Sequence, residues 1–140
     1  PVQPISGTKV PRFAGPSTFA RLPELRDVES CDVAIVGIPF DAGTSYRPGA
    51  RFGPMSIRQA SRHLRTNYHP SYDVEPFKVQ QVADAGDITL HEITDDFIVK
   101  IELHGSCVGC ALIDMTIKGG VESAIRSVAP EVKSIEAINR

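Results

Sequence analysis

The spacing of apolar residues changes several times along this chain, and each spacing predicts a different element. Cys31-Asp-Val-Ala-Ile-Val-Gly-Ile-Pro-Phe40 holds a continuous β-branched core flanked by polar and turn residues. That pattern predicts a central parallel strand covered on both faces. Asp41 to Gly53 is rich in Gly, Ser and Pro and predicts a long loop. Pro54 then suits the first turn of a helix carrying Ile57, Ser61 and Leu64 on one face. A second strand is expected at Val79–Ala83. Strand, loop, helix and strand make one unit of a doubly wound sheet, which needs more strands than this segment supplies.

Beyond residue 88 the period is different. Ile88–Ile93 and Ile98–His104 both alternate, with Val99, Ile101 and Leu103 on one face, and Thr94-Asp95-Asp96 supplies turn residues between them. This predicts a β-hairpin. Ile117, Val121, Ala124, Ile125 and Val128 recur at helical spacing up to Pro130, and Val132–Ile138 is apolar enough for a last strand. Gly119-Gly120 weakens that helix and predicts either close packing or a local break. The expected fold class is α/β or α+β, a truncated strand-helix-strand segment followed by a β-β-α-β unit.

Composition sharpens the division. Ten of the eleven prolines and eight of the nine aromatic residues precede Thr89. Two units, 1–83 and 84–140, are therefore expected, and the second is small enough to need a metal, a dimer partner or support from the first. Fifteen basic residues against 17 acidic ones leave a net charge of -2 and no basic field for nucleic acid or a membrane surface. No apolar run approaches a membrane span, and Pro1 to Phe13 is polar and broken by proline, so a soluble, cytoplasmic protein is expected. Three cysteines do not make a secreted disulfide framework, which leaves reduced thiols or a metal site.

Cys107-Val-Gly-Cys110 lies where the second hairpin strand gives way to the helix. Backbone amides near a helix start favour thiolates, and Gly109 permits the tight loop that turns two sulfurs toward one ion or cluster. Thiolates suit zinc, copper(I) or iron–sulfur clusters, although two alone do not complete a four-ligand site. A redox-active dithiol is the competing reading. His104, the only histidine near the thiols, belongs with Lys100 and Glu102 on a polar strand face. Cys31 reads as a small core residue. Asp84 and Asp87, bracketing Ala85-Gly86, read as turn chemistry. No Gly-rich phosphate loop, Ser-His-Asp set or His-Glu-x-x-His pattern occurs.

Two resemblances meet in this chain. Residues 11–88, with Pro11-Arg-Phe-Ala-Gly-Pro16, Val36-Gly-Ile-Pro-Phe-Asp41, Tyr46-Arg-Pro-Gly-Ala-Arg-Phe-Gly-Pro54 and Ile57-Arg58, resemble the N-terminal segment of the ureohydrolase family, in particular agmatinases and guanidino-acid hydrolases. Residues 84–138, with Gly86-Asp-Ile88, Leu103-His-Gly-Ser-Cys-Val-Gly-Cys110, Met115-Thr-Ile-Lys118 and Pro130-Glu-Val132, resemble the C-terminal domain of the NifU iron–sulfur scaffold family. Asp84-Ala-Gly-Asp-Ile88 fits both, which points to a crossover in a chimera-like chain.

The ureohydrolase resemblance implies a two-manganese hydrolase. Its Gly-Gly-Asp-His, Asp-Ala-His-x-Asp and Ser-x-Asp-x-Asp ligand motifs are absent from this sequence, so no catalytic residue is carried over. The NifU resemblance implies a labile cluster, commonly four-iron four-sulfur and shared by a homodimer, for delivery to apo iron–sulfur proteins. Cys107 and Cys110 are the implied ligands, with Gly109 shaping their loop and zinc as a substitute occupant. The sequence departs from that family at Ala111-Leu-Ile-Asp114, where a proline and small residues are usual. A cluster carrier is thus the first expectation, an inactive ureohydrolase fragment the second, and a thiol-disulfide module the third.

Overall fold

The computed structural model describes residues 1–105, 108–109 and 111–139. Four strands, β1 (Val33–Gly37), β2 (Val82–Ile93), β3 (Ile98–His104) and β4 (Ser134–Ala137), form one mixed sheet in the order β1-β2-β3-β4. β1 runs parallel to β2, β2 antiparallel to β3, and β3 parallel to β4. Helix α1 (Gly53–Ser61) lies between β1 and β2, and residues 113–128 form a second helix, α2, between β3 and β4. The order strand, strand, helix, strand expected of the second half is the order observed.

The hairpin forms where alternation places it. Val99, Ile101 and Leu103 are buried on one face. Thr94 closes the turn, its carbonyl accepting from the Phe97 amide at 2.9 Å and its hydroxyl from the Ile98 amide at 3.1 Å. Lys100 reaches across to Glu92 at 2.5 Å, and its hydrogen bond, aided by its charge, lowers the Glu92 carboxyl pKa. The core joins Leu25 from the N-terminal segment to Ala83, Ala85 and Ile88 of β2, the buried face of β3, Ile113 and Ile117 of α2, and Ile135 of β4.

Three expectations are corrected. Among the described residues β1 is an edge strand, with a neighbour only in β2, and Val33 is exposed. The strands expected at Val79–Ala83 and Ile88–Ile93 are parts of one strand, β2. It pairs with β1 through its first half and with β3 through its second, while Val79 closes a helical turn at Pro76–Val79. Helix α1 turns Ile57 outward, buries Ser61 and ends there, so Leu64 lies beyond it and is exposed.

Gly119-Gly120 marks a local break. The helix passes from α-helical Ile113–Thr116 through π-helical Ile117–Val121 to α-helical Glu122–Val128. A Cβ at either glycine would meet nothing within 4 Å, so tight packing is not the reason for them. Among the described residues no helix is long and apolar enough to cross a membrane.

Leu103 is 1% exposed. Leu103→Ala is expected to lower unfolding free energy by about 2–5 kcal/mol, through lost transfer energy and the cavity left behind. Val128→Ala, at an exposed position, should change it by less than about 0.5 kcal/mol. Urea denaturation curves of both variants check this.

Candidate functional site

A strand normally sends residues three apart to opposite faces. Asp84 and Asp87 nevertheless converge, because the pairing of β1 with β2 slips between them. Ile35 pairs with Asp84 and Val36 with Gly86, so Ala85 is an extra residue, and Gly86 takes φ +80°. A β-bulge of this kind shifts the alternation by one position. Asp84-Ala-Gly-Asp87 is therefore a bulge inside β2 and not the turn expected.

Arg58 closes the pair from α1. Its Nε donates to Asp84 Oδ2 at 2.8 Å and its Nη2 to Asp84 Oδ1 at 2.9 Å, a two-pronged contact, while Nη1 donates to Asp87 Oδ1 at 2.5 Å. Nη2 also donates to the Gly86 carbonyl at 2.8 Å. Asp84 is 1% exposed and accepts two further bonds, from the Phe19 amide at 2.6 Å and the Gly86 amide at 2.9 Å. Burying a carboxylate is tolerable only with such compensation.

The surroundings fix Arg58 in place. Ser61, one helical turn further, donates to the Arg58 carbonyl and accepts from the Ala20 amide, both at 2.7 Å. Gly37 on β1 faces the same point, where an added Cβ would stand 2.8 Å from Pro54 Cβ and 3.0 Å from Asp87 Cγ. Any side chain there would displace the pair. Hydrogen bonding to Asp84 raises the Arg58 pKa above the ordinary arginine value; burial opposes the shift and Asp87 reinforces it. The associated stability is present at every pH below the ordinary arginine pKa and is lost only beyond it. Arg58 thus keeps its charge across the physiological range.

A cleft of about 210 Å³ opens beside this cluster, lined in part by Thr18, Glu24, Arg58, Asp84, Asp87 and His104. His104 stands opposite Asp87 in the β2–β3 register, is exposed, and bonds Thr89 Oγ1 through Nε2 at 2.9 Å. Cys107 and Cys110 lie outside the described residues. Gly109 is exposed with φ +72°, as a tight loop requires. Cys31 packs against the main core, as expected, and its thiol donates to the Val33 carbonyl at 3.1 Å.

The donor set does not fit the manganese pair that the ureohydrolase resemblance implies. Among the described residues no three His, Cys, Asp or Glu side chains gather to hold a metal. The two carboxylates that do converge already surround a guanidinium, which places a positive charge between them.

The Arginase family model matches residues 31–134, and the chain belongs to that family. It is 35% identical to guanidinobutyrase of Pseudomonas aeruginosa over 122 residues, covering 84% of this chain and 38% of that protein. It is 40% identical to mitochondrial guanidino acid hydrolase of Homo sapiens over 119 residues, covering 84% of this chain and 34% of that protein. Among solved structures it is similar to proclavaminate amidino hydrolase from Streptomyces clavuligerus, with 42% identity, a TM-score of 0.51, and coverage of 60% of this chain and 28% of that one. It is also similar to a hypothetical agmatinase from Burkholderia thailandensis, with 28% identity, a TM-score of 0.50, and coverage of 90% and 34%. The chain thus spans 38% and 34% of the length of these two curated relatives.

These matches overturn the iron–sulfur expectation. The family match extends past Asp84–Ile88 and covers the stretch read as NifU-like as far as residue 134. The physical case is also weak, since two thiolates need further ligands and His104 is engaged with Thr89. The cluster and its zinc substitute are withdrawn together, and the mixed α/β sheet is read as part of a ureohydrolase fold.

Sequence reasoning missed Arg58 as a partner. It lies on a helix whose apolar residues drew attention to another face, and only the bulge brings its two carboxylates together. Arg58→Met would leave Asp84 buried and uncompensated, and is expected to cost about 3–5 kcal/mol. Arg58→Lys keeps the charge but loses the fork, and should cost less. Urea denaturation, rather than guanidinium, avoids competition for the site.

Proposed function

We propose that this chain provides framework for guanidino-group hydrolysis, of the kind named for its relatives, and does not itself carry the hydrolytic metal centre. Its contribution is β1, the loop over Asp41–Gly53, and the helix that Arg58 locks onto β2. Asp41 orders that loop by accepting from the Gly49 amide at 2.8 Å and from Arg51 at 2.7 Å. The observation that carries the reading is the closure of Asp84 and Asp87 by Arg58, which fixes a positive charge between the converging carboxylates. Water activation by a metal needs a cation with an open coordination position; a guanidinium offers none.

The test has two arms. The 140-residue chain, supplied with manganese and 4-guanidinobutanoate, 3-guanidinopropanoate or agmatine, should release no urea above the protein-free rate. Urea release abolished by a chelator would overturn the reading. Residues 31–88, placed in guanidinobutyrase in exchange for the matching stretch, should preserve folding and manganese-dependent hydrolysis. A well-folded exchange product without activity would count against a framework role.

A further inference from the structure

A second polar site shares no lining residue with the cleft beside the Arg58 cluster. Arg21 is 3% exposed. Its Nη2 donates to the Val10 carbonyl at 2.8 Å, while Nε and Nη1 have no partner among the described residues. Buried charged donors left without acceptors are costly, and such a group calls for a ligand. Ala20 and Arg21 both adopt left-handed backbone, with φ +49° and +60°. Side chains rarely tolerate that conformation, and here it belongs to the turn that carries the buried guanidinium.

Arg21 lines a cavity of about 210 Å³ together with Arg12, Arg65 and the backbone of the N-terminal arm. The Ile5 amide donates to the Arg21 carbonyl at 3.0 Å, tying the arm to the turn. Arg12 packs over Gly7, where an added Cβ would lie 2.7 Å from Cζ, and its Nε donates to the Leu64 carbonyl at 3.4 Å. Among the described residues no Asp or Glu lines the cavity. Residues 1–23 contain Lys9, Arg12 and Arg21 without an acidic residue, and 42–72 contain none either. The salt bridges among the described residues leave out Arg12, Arg21 and Arg65.

We propose that this cavity binds a compact oxyanion, a phosphate or carboxylate group, held by Arg21 with Arg12 and Arg65. Guanidinium forks match the paired oxygens of both groups. The volume falls below the roughly 300–1,000 Å³ of pockets for drug-sized ligands, which favours a group of few heavy atoms. The site is independent of the framework reading, and either can fail alone.

Thermal unfolding and titration calorimetry of the full chain with inorganic phosphate, and separately with acetate, test it, with ionic strength held constant by sodium chloride. The midpoint should rise saturably with at least one of the two anions and not with chloride. Arg12→Gln and Arg65→Gln should each weaken binding about tenfold, the scale of one charge-assisted hydrogen bond. Arg21→Gln should abolish it; if that variant does not fold, the other two carry the test. A response to phosphate alone identifies a phosphate-bearing ligand, and to acetate alone a carboxylate. An equal response to chloride, or wild-type binding in both Arg12→Gln and Arg65→Gln, would overturn the proposal.

Discussion

A buried carboxylate, Asp84, is the constraint on which the rest of this structure depends. Its charge requires donors from several directions, and supplying them ties together parts of the chain that are distant in sequence. Arg58 brings α1 to the sheet, the Phe19 amide brings the N-terminal turn, and Gly86 closes the bulge from within β2. Replacing one partner by an apolar group leaves the others facing an unpaired charge, so the cluster acts as a unit.

The bulge connects this packing to function. By turning Asp87 to the side of Asp84 it makes a carboxylate pair, the kind of arrangement that can hold a divalent cation, and Arg58 then occupies it with a charged side chain. Gly37 completes the enclosure by leaving room that no side chain could share. The chain belongs to a family whose named members act on guanidino compounds, yet in this stretch a guanidinium serves as a fixed structural cation. In the second polar site the charges are reversed, and arginines line a cavity without a carboxylate among the described residues.

Much of the sheet was legible in the sequence, and the site was not. The alternation of Val99, Ile101 and Leu103, the turn at Thr94 and the helix running to Pro130 follow from period alone, because each is a local pattern read against one core. The edge position of β1 was hidden, since a β-branched run reads the same in the centre of a sheet or beside one neighbour. The Arg58 cluster was hidden for a deeper reason. It joins residues 26 apart in sequence across an irregularity in β2 that Asp-Ala-Gly-Asp does not distinguish from a turn. The thiol pair misled because its spacing is locally persuasive, while ligand sets are completed by residues that sequence order does not reveal.

The most direct measurement is site-resolved paramagnetic relaxation by manganese(II), added at substoichiometric amounts to the isotope-labelled chain. The account predicts no selective broadening of the backbone signals of Asp84, Gly86 and Asp87, and an Arg58 Nε–H signal that remains sharp. Selective loss of those signals, with release of Arg58, would place a metal between the carboxylates and contradict it.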